Sequence, residues 1–473
     1  MLSRIALASS AFLLLGSSAQ AGREEYLVRF KQADRSSQMS FLQRNGGALT
    51  AVSKEGLLYQ WTSDQSTDLS WDKNIAYVQK NHTYHIFLSP ALQEKKAELL
   101  KGLSQLPSQT SRATDNPEIP NPGIQATGAD TMLDKAWGIT KVGADIAWKN
   151  AEQGKGIVVA VTDSGVDYTH PDLVNNLWRN KGEIPGDGID NDKNGYVDDI
   201  VGWDFAANDN KPFDLTLSLL DIVLSGGNPG HGTHVSGVVG ARLNNGQGVA
   251  GVAPLVKIMC LRFITEKGQG DTTNAVRAID YAVANGASII NASWGGEKGS
   301  EDDSALIEAI TRAKNKGVIF VAAAGNGRTD STTMTSAGFD NDNDAKPMVP
   351  ASYDIENIVS VAALDDQDQL AKFSNWGHKS VKLGAPGVKI LSTVPGNRYQ
   401  DTIIELGTTK VTWDGTSMAA PFVAGALAVV WSENQTQTAA EVINTLLTKV
   451  TPASALKSKV ATEGRLEMRA VRD

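Results

Sequence analysis

One cysteine, Cys260, stands among 473 residues. No internal disulfide can form, so the fold must be held by core packing, with bound metal as a further support. Cys260 lies in the apolar run Val256–Leu261 and reads as a buried strand residue rather than a nucleophile. There is also no block of Lys and Arg, and the net charge is -9. That excludes the electrostatic footprint of a nucleic-acid binder. Beyond the N-terminus, no run approaches the roughly 20 apolar residues that a membrane-crossing helix needs. Hydrophobic residues nevertheless make up 41% of the chain. That suffices for a large core and two or three domains.

The N-terminus reads as an address. Arg4 supplies a positive start, Ile5 to Gly16 an apolar core, and Ala19-Gln20-Ala21 a small-x-small cleavage signal. Residues 1–21 are therefore expected to be a signal peptide. They place the protein outside the cytoplasm, extracellular or periplasmic, with no membrane attachment once they are removed.

A small segment follows. Tyr26–Phe30 and Ile75–Val78 have strand character, and Ser36 to Asn45 helical character. A helix is expected over 90–104. Ser108 to Asp130 is rich in Pro, Gly, Ser, Thr and Asn, which marks an exposed linker open to proteolysis. From about 131 the pattern changes. Gly156–Val161 is a continuous apolar run, and Ser288–Asn291, Val318–Ala322 and Ile358–Val361 are further runs with buried-strand character. Amphipathic stretches at Asn274–Asn285 and Ser304–Lys316 lie between them, stopped by Gly286 and Gly317. Buried strands alternating with helices predict a mainly parallel sheet covered on both faces. In such sheets chemistry gathers at the carboxyl ends of the strands.

Three segments carry chemistry. They are Val161-Thr162-Asp163-Ser164-Gly165, His231-Gly232-Thr233-His234 and Gly415-Thr416-Ser417-Met418-Ala419. Singly, each has an ordinary structural use as a turn, a surface histidine or a helix cap. Together they supply an acid, a base and a hydroxyl. A hydroxyl is a poor nucleophile at neutral pH without an adjacent base, and the base needs an orienting acid. The order Asp, His, Ser is one of the known chain orders for that triad.

Between the first two segments, Asp190, Asp192 and Asn194 fall at alternate positions, followed by Gly195, Tyr196 and Asp198. This is the first part of an EF-hand-type calcium loop. It departs at position 12, which is Val201, so Asp199 or Asp187 would have to complete it.

The three motifs in this order resemble the subtilisin-like serine protease family over about 131–467, with a propeptide-like segment before them. The resemblance implies a three-layer α/β fold with a mainly parallel central sheet, preceded by a small α+β propeptide domain. It also implies an endopeptidase acting on polypeptides through an acyl-enzyme. Ser417 becomes the nucleophile, His231 rather than His234 the base, and Asp163 its orienter. Asn326, in Ala322–Gly327, becomes the oxyanion donor. Gly268, Gln269 and Gly270 on one side, and Ser293, Trp294 and Gly295 on the other, match the edges that grip an extended peptide. A second calcium site is implied at Asp172, with Asn245 by side chain and Leu243, Gln247 and Val249 by carbonyl.

The implied organisation is a signal peptide (1–21), an inhibitory propeptide (22–88), a helix and linker that are removed (89–130), and a peptidase domain (131–473). That domain carries an acidic calcium-loop insert at 180–229. The end of the propeptide, Asn81 to Phe87, resembles the stretch that such enzymes cut themselves, and the mature protein is expected to act as a monomer. Two other readings remain: a catalytically silent, calcium-dependent binding protein on the same fold, and a hydrolase of esters. The peptide-gripping edges favour peptides over esters.

Overall fold

Strands buried on both sides cannot alternate polar and apolar residues, and the central runs do not. Val158–Asp163, Ile289–Ala292, Ile319–Ala323 and Ile358–Leu364 are almost wholly shut off from solvent. A computed structural model describes the chain over residues 24–32, 34–63, 72–103, 117–123, 127–149, 151–299 and 303–469. The expected signal peptide, and linker residues 104–116 and 124–126, lie outside the described residues.

The four runs sit side by side in a nine-stranded sheet. From one edge its order is Thr451–Pro452, Gly464–Arg465, Val381–Pro386, Ile358–Leu364, Ile319–Ala323, Ile289–Ala292, Val158–Asp163, Lys257–Arg262 and Gly202–Asp204. All neighbours run parallel except the Thr451–Pro452 edge. Successive residues on a strand point to opposite faces. Val159, Val161, Ile319 and Val321 accordingly enter one core, with the helices His231–Gly240 and Thr416–Glu433. Ala160, Ile290, Phe320 and Ala322 enter the other, with Thr272–Ala284 and Ser304–Asn315. The result is the expected three layers, and Cys260 lies fully buried in the first core.

Close approach of the two helices on the first face depends on Gly425. A Cβ there would stand 2.7 Å from Val252 Cβ and 3.1 Å from Val239 O. On the second face, Asp271 caps its helix by accepting from Asn274 N at 2.8 Å.

The N-terminal unit is an antiparallel sheet in the order Ala48–Ser53, Leu58–Ser63, Glu24–Phe30 and Ile75–Lys80, with one helix at Arg35–Asn45. Its own core is small: Val28, Phe30, Phe41, Trp61 and Ile75. Phe41 meets Trp61 edge-on, with centroids 5.3 Å apart. So few apolar residues leave the unit dependent on its neighbour. Its sheet rests on the Thr272–Ala284 and Ser304–Asn315 helices. Arg29 pairs with Glu308 at 2.9 Å, Ser53 donates to Asp280 at 2.5 Å, and Gln79 accepts from Ala305 N at 2.8 Å.

The helix expected at 90–104 is two helices, Ala91–Glu94 and Lys96–Leu103, separated at Lys95. The described residues of the Pro-rich stretch beyond, 117–123 and 127–130, are mostly exposed, but they are also pinned. Pro117 O accepts from the Tyr168 hydroxyl at 2.8 Å. Asp130 accepts from the backbones of Asn244 and Asn245, both at 3.0 Å.

Candidate active site

Asp163 is the last residue of the Val158–Asp163 strand, and the chain must turn directly after it. His231 opens the His231–Gly240 helix on the adjoining face, where Gly232 lies against Gly165 O with no room for a Cβ. The two side chains therefore meet, and His231 Nδ1 lies 2.8 Å from Asp163 Oδ1. Asp163, His231 and Ser417 are all fully buried.

Ser417 is the second residue of the Thr416–Glu433 helix. Four residues on stands Pro421, which has no N–H to donate to the Ser417 carbonyl. Ser293 Oγ fills that role at 2.9 Å, steadied by Asn291 Nδ2 at 2.9 Å. A sequence feature that looks helix-breaking thus ties the serine to the neighbouring strand end. The Ser417 hydroxyl itself donates to Ser293 O at 2.9 Å. Among the described residues, His231 Nε2 is buried without a hydrogen-bond partner.

His234, one turn further along, is occupied otherwise. Its Nε2 meets Ile390 O at 2.9 Å and its ring stacks on Trp413 at 4.3 Å. Burial pushes its imidazole down to about 3, so it is neutral and serves as a packed structural group.

Asn326 follows the Ile319–Ala323 strand. Its Oδ1 accepts from Thr416 N at 2.9 Å and from Thr416 Oγ1 at 2.8 Å, which fixes the amide orientation. Nδ2 therefore faces the cleft, 3.2 Å from Phe87 O and 3.1 Å from Leu88 O.

Both expected edges carry a strand between them. Thr83–Ile86 pairs antiparallel with Gln269–Asp271 on one side and with Trp294–Glu297 on the other. Ile86 N donates to Gly268 O at 3.2 Å. The two glycines are needed for different reasons. A Cβ at Gly295 would strike Val349 O at 2.5 Å and the Phe87 ring at 2.7 Å, so this glycine makes room for the peptide. A Cβ at Gly270 would strike Phe263, so that glycine serves the core.

Behind the acid lies a group with no motif to mark it. Asp214 is fully buried. It accepts from Ser164 Oγ (2.9 Å), Asn228 Nδ2 (2.6 Å), Thr233 N (2.8 Å) and Thr233 Oγ1 (2.6 Å). Ser164 Oγ accepts in turn from Gly232 N at 3.0 Å. Asp214 thereby clamps the residues beside Asp163 to those beside His231. Burial raises its carboxyl to about 6, against the pull of these donors. Only the tertiary structure brings it here, since Asp214 and Asn228 bracket the Leu219–Ser225 helix.

The acidic loop is ordered by its own backbone. Asp190 accepts from Asn194 N and Gly195 N, at 3.1 and 2.9 Å, and Asp198 from Gly186 N and Gly188 N, at 2.8 and 3.0 Å. The Tyr196 ring packs on Trp203, with centroids 5.0 Å apart. Among the described residues, Glu183, Asp192 and Asp199 gather carboxylate oxygens within 4.8 Å of one another and could hold a metal. Asp192 thus lies at the cluster and Asn194 beside it, donating to Asp199 at 2.9 Å, while Glu183 comes from outside the motif.

At the other implied site, Asp172 accepts from Asn245 Nδ2 at 2.6 Å and Val249 N at 3.2 Å, and Asn245 Oδ1 accepts from Gln247 N at 3.0 Å. Leu243 packs on the core nearby. These hydrogen bonds bring Asp172, Asn245, Gln247 and Val249 together.

A three-layer sheet bearing these groups at its carboxyl edge is the architecture of the subtilisin class. The chain matches the subtilase family model over residues 154–465, and it belongs to that family. A thermophilic serine proteinase of Bacillus sp. (strain AK1) is 36% identical over 313 residues, which is 66% of this chain and 59% of that protein. Thermitase of Thermoactinomyces vulgaris is 34% identical over 301 residues, 64% of this chain and 84% of thermitase. The crystal structure of fervidolysin from Fervidobacterium pennivorans, a keratinolytic enzyme related to subtilisin, superposes with a TM-score of 0.65 at 25% identity. That match covers 96% of this chain and 61% of fervidolysin's. The chain spans about three-fifths of the length of the Bacillus relative and of fervidolysin.

Two outcomes follow from the buried groups. Asp214→Asn turns an acceptor into a donor facing the Thr233 N–H. It should cost about 1–3 kcal/mol, read by urea unfolding at pH 7. For His234, the folded pKa of about 3 lies below the ordinary 6.5, so unfolding takes up a proton. Its stabilisation is complete above 6.5 and is lost as pH falls toward 3. His234→Gln should flatten the acid slope of the urea midpoint over that window.

Proposed function

We propose that the chain is the precursor of a secreted, monomeric subtilisin-like serine endopeptidase that cuts its own backbone after Phe87. One observation carries this reading. Phe87 directly follows the strand seated in the peptide-gripping edges, and its carbonyl, like that of Leu88, lies within reach of the Asn326 amide, at 3.2 and 3.1 Å. Residues 1–21 are then the signal peptide, 22–88 the inhibitory propeptide up to and just past the cut, 89–130 a segment removed later, and 131–473 the peptidase.

The chemistry follows from the groups in place. Ser417 Oγ attacks the Phe87 carbonyl carbon while His231 Nε2 takes the hydroxyl proton. Asp163 holds the imidazole by Nδ1 and stabilises its charged form. Asn326 Nδ2 donates to the oxygen as it gains negative charge. The Phe87–Leu88 bond then breaks, and the Leu88 amine leaves with the proton from His231. Water, deprotonated by the same imidazole, hydrolyses the acyl-enzyme. The Ser417 hydroxyl must first rotate from Ser293 O toward His231. The alternative, a silent calcium-dependent binding protein on the same fold, differs in leaving this serine unreactive.

Both readings meet one test. Secreted wild-type protein should begin at Leu88 or later and take up a fluorophosphonate probe, while Ser417→Ala should keep its propeptide uncut and stay unlabelled. Identical N-termini in both would reject self-cleavage, and properly processed protein that resists the probe would support the silent reading.

The oxygen-only cluster of Glu183, Asp192 and Asp199 suits calcium, a hard cation, and we assign it a structural calcium with Asp190, Asn194, Tyr196 and Asp198 shaping the loop. A ligand bound only by the folded state raises its stability. Chelation should therefore lower the Tm of Ser417→Ala protein and added Ca2+ restore it, with a smaller response in Asp192→Asn. An unchanged Tm would remove calcium from the account.

A further inference from the structure

If the bond after Phe87 is the one cut, all residues from Leu88 onward lie on the leaving-group side. A leaving group should depart, but this one is fastened to the peptidase domain. Leu92 and Leu99 are almost fully buried, in one apolar cluster with Ile222, Val223, Ile404 and Val411. Those partners come from two elements that flank the cleft: the Leu219–Ser225 helix, and the hairpin of Thr402–Leu406 and Thr409–Thr412.

Polar contacts hold the same segment on three sides. Glu94 accepts from Ser336 N at 2.8 Å. Lys95 Nζ donates to Lys410 O at 2.7 Å, and Lys96 Nζ to Leu224 O at 2.8 Å. Thr409 Oγ1 donates to Glu98 at 3.2 Å. The groove opens directly onto the catalytic groups, since Leu88, Pro90, Leu92, Gly226 and Asn326 line one pocket. None of these contacts involves the strand Thr83–Ile86 or the small sheet before it, so cutting after Phe87 leaves them all in place.

We propose that Leu88–Leu103 is a second inhibitory element, independent of the propeptide strand. Resting on the self-cleavage reading above, it works as follows. After the first cut the acyl part, ending at Phe87, is released from Ser417 and can dissociate. The part beginning at Leu88 remains covalently joined to the peptidase domain and docked in its groove. A tethered ligand faces its site at high effective concentration. Its Leu88 amine stays beside the site of bond cleavage, and its backbone covers the path that residues beyond a substrate's scissile bond must take. The once-cut protein is therefore latent toward polypeptides. Activity appears only when a second cut beyond Leu103 frees the segment.

The test is a time course of wild-type maturation, with N-terminal sequencing of each separated species. Each species is assayed on a peptide extending several residues to both sides of its cut. The species starting at Leu88 should show kcat/KM at least tenfold below that of the species starting beyond Leu103. In Leu99→Asp, whose new charge cannot stay in the apolar groove, the two species should be equally active. Should that variant fail to fold, a foreign protease site placed just after Leu103 serves instead, and cutting there should release the activity in one step. A Leu88 species as active as the trimmed one overturns the inference and leaves self-cleavage standing. If Leu88 never appears as an N-terminus in wild-type protein, self-cleavage after Phe87 fails and the second element fails with it.

Discussion

Two carboxylates, Asp163 and Asp214, are shut away from water beneath the same short turn, and a buried carboxylate is costly unless donors surround it. The local structure follows from meeting that requirement. Asp163 takes Ser164 N and the His231 imidazole, and Asp214 takes Ser164 Oγ, Asn228 Nδ2 and two donors from Thr233. These donors sit on the strand end, on the start of the His231–Gly240 helix and on the loop before it. Satisfying them brings the three segments to one geometry. The acid and the base are thus placed by hydrogen bonds to neighbours as well as to each other.

The same economy governs the cleft. Its walls are open strand edges, which need a partner for their N–H and C=O groups. Thr83–Ile86 supplies one by main-chain pairing, with Phe87 seated against Gly295. Main-chain pairing is largely indifferent to side chains, so it explains both how a segment of the chain can lie there and why peptides in general could. The groove beyond Leu88 is of another kind. It is side-chain packing by Leu92 and Leu99, and it tells one segment from another by shape and apolarity.

Much of this was legible in the sequence because it depends on local pattern. Buried-strand runs alternating with glycine-stopped amphipathic stretches announced the parallel sheet, and three motifs in order marked Asp163, His231 and Ser417, with Asn326 marked by the Ala322–Gly327 segment. Other features were hidden. Asp214 has no motif, and its role exists only because Ser164, Asn228 and Thr233 converge on it from 50, 14 and 19 residues away in the chain. The acidic loop was visible as spacing, but spacing does not say where a carboxylate points. Asp198 is taken up by two glycine amides, while Glu183, outside the pattern, reaches the cluster. Pro421 read alone suggests a break, yet the helix continues because Ser293 supplies the missing donor.

The sequence by itself determined the order of elements, the layered α/β class and which residues are the candidates for the triad. These follow from periodicity and from short stretches whose residues act on their immediate neighbours. Only the tertiary structure decided that His234, one turn from His231, is stacked away on Trp413. It also decided which carboxylates gather into one cluster, and that the two helices after Phe87 fill a groove made by a helix and a hairpin far away in the chain. Each of those is a contact between residues far apart in the chain. Such contacts are set by how whole layers pack, and no local pattern encodes them.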